Sequence, residues 1–421
     1  MKYNVRPLLS RQVHGTVVVP ASKSYAQRAI ALSMLVNGQT ILKNIGNSDD
    51  EHAALSIIKK TGAKVTAKEK DWIIEAHGYN PTSDLVVNVN ESGLATRMFT
   101  PILANTNNSV KINGSGSILN RPMNFFEVIL PKLGVGISLK EGKLPIDLQG
   151  PLYPIDLTVD GSMSSQYITG LLYGFVASPY VRKQQLKIEN LQSRPYLELS
   201  LDVLKEFGVS VSFKNDILLF DGPYRLNSTT INVEADWSSA SFLILIGALF
   251  GSVRLKNLNR YSKQADIQFL EAIHSFGAQV YWEEADLIVE MNVKRAFNFD
   301  ATHCPDLFPP LAVLATLGHG VSTIKGLHRL FHKESNRAET ISEEFSKLGA
   351  KITLDTQNDL MIIEAVKELK GGNVSSRGDH RIAMALAVLG LGAKEKITIE
   401  NSDTVSKSFP SFFELLEDLT K

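Results

Sequence analysis

The stretch Ile341-Ser342-Glu343-Glu344-Phe345-Ser346-Lys347-Leu348-Gly349-Ala350-Lys351-Ile352-Thr353-Leu354 reads as a helix end, a glycine and a strand. Ile341, Phe345 and Leu348 recur at helical spacing, and residues 350–354 then alternate as a half-buried strand does. Gly349 stands just past the helix, where the backbone usually needs positive φ. The same order occurs four times earlier, at 57–65 around Gly62, 126–137 around Gly134, 201–211 around Gly208 and 269–280 around Gly277. These five glycines lie 72, 74, 69 and 72 residues apart.

A second element sits between them. Polar or small residues open an apolar helix near Ser24, Ser92, Ser164, Ser238, Asp306 and Asp379, at spacings of 68, 72, 74, 68 and 73. A strand closes each unit, at 40–45, 110–113, 186–191, 253–258, 321–327 and 397–401. The 421 residues therefore divide into six units of about 72, the sixth ending at a helix over 412–419. Residues 3–19 read as strands with no helix before them and are expected to complete that sixth unit.

The pattern predicts an α/β protein of two domains, each of three units. One domain is 20–235; the other is 1–19 plus 236–421. Hinges fall near 19–20 and 235–236, and a cleft between the halves is the expected ligand site.

Lys and Arg total 44, Asp and Glu total 44, and 44% of residues are hydrophobic. That apolar share excludes a disordered chain. Zero net charge excludes a wholesale basic surface, so neither nucleic acid nor an anionic membrane is expected as a partner. The longest apolar runs, 242–250 and 382–391, are about ten residues, too short to span a bilayer. Residues 1–15 carry no apolar core of a signal peptide, so the expectation is a cytoplasmic protein. One cysteine, Cys304, excludes an internal disulfide and a multi-cysteine metal site.

Helix starts present unpaired N–H groups and attract anions. Ser and Asp there usually serve as plain caps, which is the ordinary reading of Ser238 and Asp379. Lys23 is different, because a cation at a helix start opposes the dipole. Lys23 and Arg28 with Ser22 and Ser24 suggest phosphate or carboxylate binding. Further cationic segments are Arg97, Asn120-Arg121-Pro122 after a Gly-Ser stretch (113–117) suited to a mobile loop, Lys333 to Arg337, Asp379-His380-Arg381 and Lys407-Ser408.

Taken together, the segments 20–28, 159–166, 193–196, 234–241, 305–306, 333–337, 379–384 and 407–410 resemble the EPSP synthase family of enolpyruvyl transferases, in order over nearly the whole chain. The resemblance implies the enolpyruvyl transferase fold, α/β (α+β) with two domains each of three βαβαββ-type repeats packed around buried helices, a monomer, and no metal or organic cofactor. It implies transfer of the enolpyruvyl group of phosphoenolpyruvate to shikimate 3-phosphate, through a tetrahedral intermediate. The shikimate 3-phosphate contacts it implies are Ser24, Arg28, Ser164, Ser165, Gln166, Ser193, Tyr196, Asp306 and Lys333. The phosphoenolpyruvate contacts are Lys23, Arg121, Arg337, Arg381 and Lys407, with Gly93, Arg97 and His380 also in the binding set. Asp306 is expected to take the hydroxyl proton and protonated Glu334 to deliver one to carbon, with Lys23 shuttling or stabilising charge. The domain 20–235 would serve mainly shikimate 3-phosphate, and the other mainly phosphoenolpyruvate.

Eight of these cations, less Asp306 and Glu334, leave +6, against roughly −5 to −6 on two phosphates and two carboxylates. Several positions depart from the family pattern: Ala21, Ala265-Asp266, Ser335-Asn336 and Glu91-Ser92-Gly93-Leu94. Glu91 would repel phosphoenolpyruvate unless paired, with Arg97 or Arg121 as candidate partners. One alternative is the UDP-N-acetylglucosamine enolpyruvyl transferases, which carry a reactive Cys or an Asp on the loop matching 113–121. This sequence has neither there, and Cys304 reads as a packing residue. Another is a non-catalytic repeat scaffold, which would need exposed basic surface rather than cations gathered at helix starts.

Overall fold

The computed structural model describes residues 1–9 and 12–421. The chain divides into two compact units, Ala21–Val233 and Met1–Pro20 with Glu234–Lys421.

In Ala21–Val233 three sheets share one strand order. Leu85–Asn88 runs parallel to Ser109–Asn113, which pairs antiparallel with Lys143–Gln149 and through it with Gly136–Lys140. Leu157–Asp160, Gln185–Glu189, Ile217–Leu219 and Ser212–Lys214 repeat that order. The first sheet, of Asn37–Lys43, Asp71–His77 and Lys64–Lys68, takes its parallel strand from the far end of the unit, Thr230–Asn232. The helices Lys23–Ser33, Gly93–Leu103 and Ser165–Ala177 form the interior. Every residue of Gly93–Leu103 is buried, which suits a helix apolar on nearly all sides. Outer helices such as Asp49–Lys60 and Arg194–Glu206 bury one face only.

The other unit repeats the plan around the buried helices Trp237–Phe250, Phe308–Thr316 and His380–Leu391. Its sheets centre on Gly251–Lys256, Val321–Lys325 and Ile397–Glu400. Here the structure corrects the sequence reading of 3–19. Lys2–Val5 does complete the sixth repeat, antiparallel to Ile397–Glu400. Val13–Val18 instead runs parallel to Gly251–Lys256 and completes the fourth. Each unit thus supplies one of its parallel strands from the opposite end of its own chain, and pairing at such separation leaves no local sequence signal. Residues 10 and 11 of that stretch lie outside the described residues. No helix among the described residues is long and apolar enough to cross a membrane.

The repeat glycines Gly62, Gly134, Gly208, Gly277 and Gly349 all have positive φ, between 79° and 102°. The helix openings are refined. Ser22, Ser92, Ser164, Asp236 and Asp379 cap their helices through the side chain. Ser24 and Ser238 lie inside the first turn, and Asp306 lies in a short 3-10 turn, Pro305–Leu307.

Two glycines set how closely the interior helices meet. A Cβ on Gly170 would fall 2.1 Å from the Arg97 carbonyl oxygen, and one on Gly174 would fall 2.7 Å from Pro101 Cβ. Gly62, in contrast, has open space around it, so only its backbone conformation resists a side chain. Gly170→Ala should therefore cost about 3 kcal/mol through overpacking against backbone. Gly62→Ala should cost about 1–2 kcal/mol through its left-handed conformation. Urea midpoints of the two variants check the order.

Candidate active site

In the unit Ala21–Val233 the interior helices are stitched together near their starts. Ser92 Oγ donates to Gln27 Oε1 at 3.0 Å, and Arg97 Nη1 donates to Gln166 Oε1 at 2.8 Å. Arg28, 1% exposed, donates to Ser200 Oγ at 2.8 Å, to the Ser24 carbonyl at 2.8 Å and to the Tyr196 carbonyl at 3.2 Å. Ser24, Arg28 and Tyr196 are thus joined, but Ser24 and Tyr196 through their backbones. Ser164 Oγ accepts from the Gln166 amide at 3.3 Å, Ser165 is buried, and Ser193 sits at φ 54° ahead of the helix Arg194–Glu206.

Gly93, Arg97 and Arg121 form the sharpest feature of this unit. A Cβ at Gly93 would stand 2.5 Å from Arg121 Nη1 and 3.1 Å from Arg97 Nη1. Two guanidiniums therefore converge over a helix start that only glycine leaves open. Arg97 also lies over the Tyr167 ring, at 4.9 Å from its centroid. Such a pair of cations at a helix start has the chemistry to attract an anion. Glu91 is placed as well: its Oε2 accepts from the Ser117 amide at 2.8 Å and from the Ser117 hydroxyl at 2.9 Å. The Gly-Ser stretch read as a mobile loop runs instead into a short 3-10 helix, Gly116–Asn120, tied down by that carboxylate.

Lys23 opens its helix and meets Asp50, which the sequence reading missed, at 2.9 Å. Asp50 lies in the first turn of the helix Asp49–Lys60, where an acid is expected on dipole grounds and so draws no notice.

In the other unit a buried guanidinium organises the cluster. Arg337, at 1% side-chain exposure, bonds Asp379 through Nε at 2.7 Å, Asp306 through Nη1 at 2.7 Å and Glu334 through Nη2 at 2.7 Å. Lys333 Nζ and Arg381 Nη2 each reach Asp306 at 3.2 Å. Side-chain exposure separates the roles. Asp306, Glu334 and Lys333 are 24%, 19% and 20% exposed, while Asp379 is fully buried. The first three can meet a ligand; Arg337 and Asp379 are the foundation beneath them. Asp379 caps the helix His380–Leu391 and also binds Arg337, so the plain-cap reading was half of its role. His380 is buried at the start of that helix, and Lys407 Nζ donates to the Gly378 carbonyl at 2.8 Å.

Burial alone would push the Asp306 carboxyl up, but Arg381, Lys333 and Arg337 hold it well below the ordinary carboxylate range. Burial pushes the Lys333 ammonium down to about 8, with Asp306 opposing and Arg337 assisting. Cys304 is buried, and burial pushes its thiol up, which suits packing rather than nucleophilic attack.

Asp266 was also missed. It is fully buried; Ser238 Oγ donates to its Oδ2, and its Oδ1 has no hydrogen-bond partner among the described residues. Burial, and next the negative charge of Asp306, push its carboxyl up to about 7, with Arg381 and Ser238 opposing. A carboxyl raised in the folded state gives stability that is full below about pH 4 and lost as pH rises through about 7. Asp306 acts in the opposite sense, but only in stronger acid. Asp266→Asn should therefore gain in Tm over the parent as pH rises from 5 to 8, by up to about 3 kcal/mol in stability. Melting curves across that range check it, and a pH-independent difference would contradict it.

The EPSP synthase family, 3-phosphoshikimate 1-carboxyvinyltransferase, matches residues 9–416. A 3-phosphoshikimate 1-carboxyvinyltransferase of Clostridium perfringens is 34% identical over 413 residues, covering 97% of this chain and 96% of the relative. The Clostridium kluyveri protein of that name is 31% identical, covering 98% of this chain and 96% of its own. Among solved structures, EPSP synthase from Acinetobacter baumannii superposes with TM-score 0.83 at 23% identity, covering 99% of this chain and 98% of the other. The enolpyruvyl transferase NikO from Streptomyces tendae superposes with TM-score 0.78 at 15% identity, covering 99% and 96%. These two structures speak for the enolpyruvyl transferase fold. The end-to-end match in sequence goes further: the chain belongs to the EPSP synthase family.

Proposed function

We propose that this chain transfers the enolpyruvyl group of phosphoenolpyruvate to the 5-hydroxyl of shikimate 3-phosphate, giving EPSP and inorganic phosphate, in the cytoplasm. The observation that carries the residue assignment is the Asp306 cluster, a part-exposed carboxylate among Lys333, Arg337 and Arg381. The family match and its relatives' names supply the reaction.

In the addition step the hydroxyl oxygen bonds to C2 of phosphoenolpyruvate, the hydroxyl proton passes to a base, and C3 gains a proton. In the elimination step C3 loses a proton, the C2–O bond to phosphate breaks, and the vinyl ether forms. Asp306 is the base in this reading. At rest it is a poor one, because three cations favour its ionised form. Anionic ligands binding Lys333 and Arg381 would offset that field and restore its basicity, with Arg337 held beneath them by its three carboxylates, so the base is armed by the substrate it serves.

Glu334 accepts from Arg337 Nη2 at 2.7 Å, so as acid it acts after that pairing loosens. Lys23, with Asp50 beside it, and Arg121, with Arg97, are the cations that Ala21–Val233 contributes to phosphoenolpyruvate. Arg28, Ser164, Ser165, Gln166, Ser193 and Tyr196 form the contribution of that unit to shikimate 3-phosphate. His380 and Lys407 stay in the phosphoenolpyruvate set, with His380 orienting its neighbours.

Mixing the protein with phosphoenolpyruvate and shikimate 3-phosphate should release phosphate. Release with UDP-N-acetylglucosamine and not with shikimate 3-phosphate would overturn the reading. Asp306→Asn should lower kcat by about 100- to 10,000-fold, the usual worth of general acid–base catalysis. Shikimate 3-phosphate binding should stay measurable by calorimetry. Near-normal turnover in the variant would reject Asp306 as base.

A further inference from the structure

Glu91 is the acid that the sequence places beside an anion site, two residues before the glycine on which Arg97 and Arg121 converge. As a bare charge it would weaken phosphoenolpyruvate binding. Its contacts point to another role.

The loop leading to Arg121 is held to the turn before Gly93 at two points. The Ser115 amide donates to the Asn90 carbonyl at 2.8 Å. Glu91 Oε2 takes both the amide and the hydroxyl of Ser117, at 2.8 and 2.9 Å. The carboxyl group lies flat on Gly116, where φ is 61° and an added Cβ would fall 2.3 Å from Glu91 Cδ. Any side chain at 116 would push the two segments apart. Residues 116–120 then form one 3-10 turn, closed by the Arg121 amide on the Ile118 carbonyl at 3.1 Å. The anchored end of that turn is Ser117, and Arg121 follows its last residue. A short rigid turn fixed at one end fixes the guanidinium carried at the other.

We infer that Glu91 is a positioning residue, which straps the 114–121 loop through Ser117 so that Arg121 stands over Gly93 before phosphoenolpyruvate arrives. Preorganising a guanidinium removes an ordering cost from binding. The strap thus outweighs the unfavourable charge that Glu91 brings to the site. The inference rests on the reading of Arg121 as a phosphoenolpyruvate contact, so its test separates the two.

Glu91→Ala should raise KM for phosphoenolpyruvate by about tenfold, leaving KM for shikimate 3-phosphate and kcat within about threefold. Glu91→Gln keeps an acceptor for Ser117 and should restore most of the affinity. In the Arg121→Ala background, which itself should raise that KM, Glu91→Ala should add little, because the residue it positions is gone. Hydrogen exchange at the Ser117 amide, read without substrate, should accelerate in Glu91→Ala and not in Arg121→Ala.

A fall in KM for phosphoenolpyruvate in both Glu91 variants would show a repelling charge and overturn the inference. So would an unchanged KM, or an effect of Glu91→Ala that persists undiminished in the Arg121→Ala background. Faster Ser117 exchange with Arg121→Ala itself leaving KM unchanged would show that the strap is real but the reading of Arg121 is wrong. That outcome also removes the inference about binding.

Discussion

Arg337 is almost wholly buried and always charged, so it must be neutralised where it stands. Three carboxylates do this, and each comes from a different place in the chain. Asp379 is the cap of a buried helix, Asp306 lies in the turn leading into another, and Glu334 lies just before the helix Arg337–Lys347. The guanidinium therefore fixes three segments at once. Removing one partner of such a buried pair typically costs about 3–5 kcal/mol. The same bond that anchors the architecture reaches the chemistry, because Arg337 joins Arg381 and Lys333 in keeping Asp306 ionised and holds it in place.

Around this point the unit repeats one solution three times. A helix apolar on all sides must be enclosed, and sheets with amphipathic outer helices enclose it. The start of each interior helix then presents N–H groups that need partners. Ser22, Ser92, Ser164, Asp236 and Asp379 each satisfy some of them. The charged side chains gather at these starts because the interior helices leave few other polar places. Asp50 belongs to the same logic: it sits 2.9 Å from Lys23 and offsets a cation placed at a helix start.

Much of the repeat was legible because it is periodic. Five glycines about 72 residues apart, each past a helix, all adopted the positive φ expected of them. The closing strands also fell within a few residues of the expected places. What was not legible was long-range or double. Val13–Val18 pairs with Gly251–Lys256 across most of the chain, and nothing near residue 13 names its partner. Asp379 looks the same in sequence whether it caps a helix, binds Arg337 or does both. Asp266 stands in the sequence only as part of the Ala265-Asp266 departure; its burial beside Ser238 and Asp306 is what marks it. Sequence registers the residue types a site needs, and it is silent on which acid faces which cation.

The central claim is that this cluster builds a tetrahedral adduct between two substrates and then collapses it. Carbon-13 spectra of phosphoenolpyruvate labelled at C2 test it most directly, with protein in excess over ligand. With shikimate 3-phosphate present, the account predicts a transient ketal carbon on the protein, followed by the vinyl ether carbon of EPSP as phosphate appears. In Asp306→Asn the ketal should fail to build up. Labelled phosphoenolpyruvate that stays unchanged with both substrates present, or loses phosphate without forming the ether, would contradict the account.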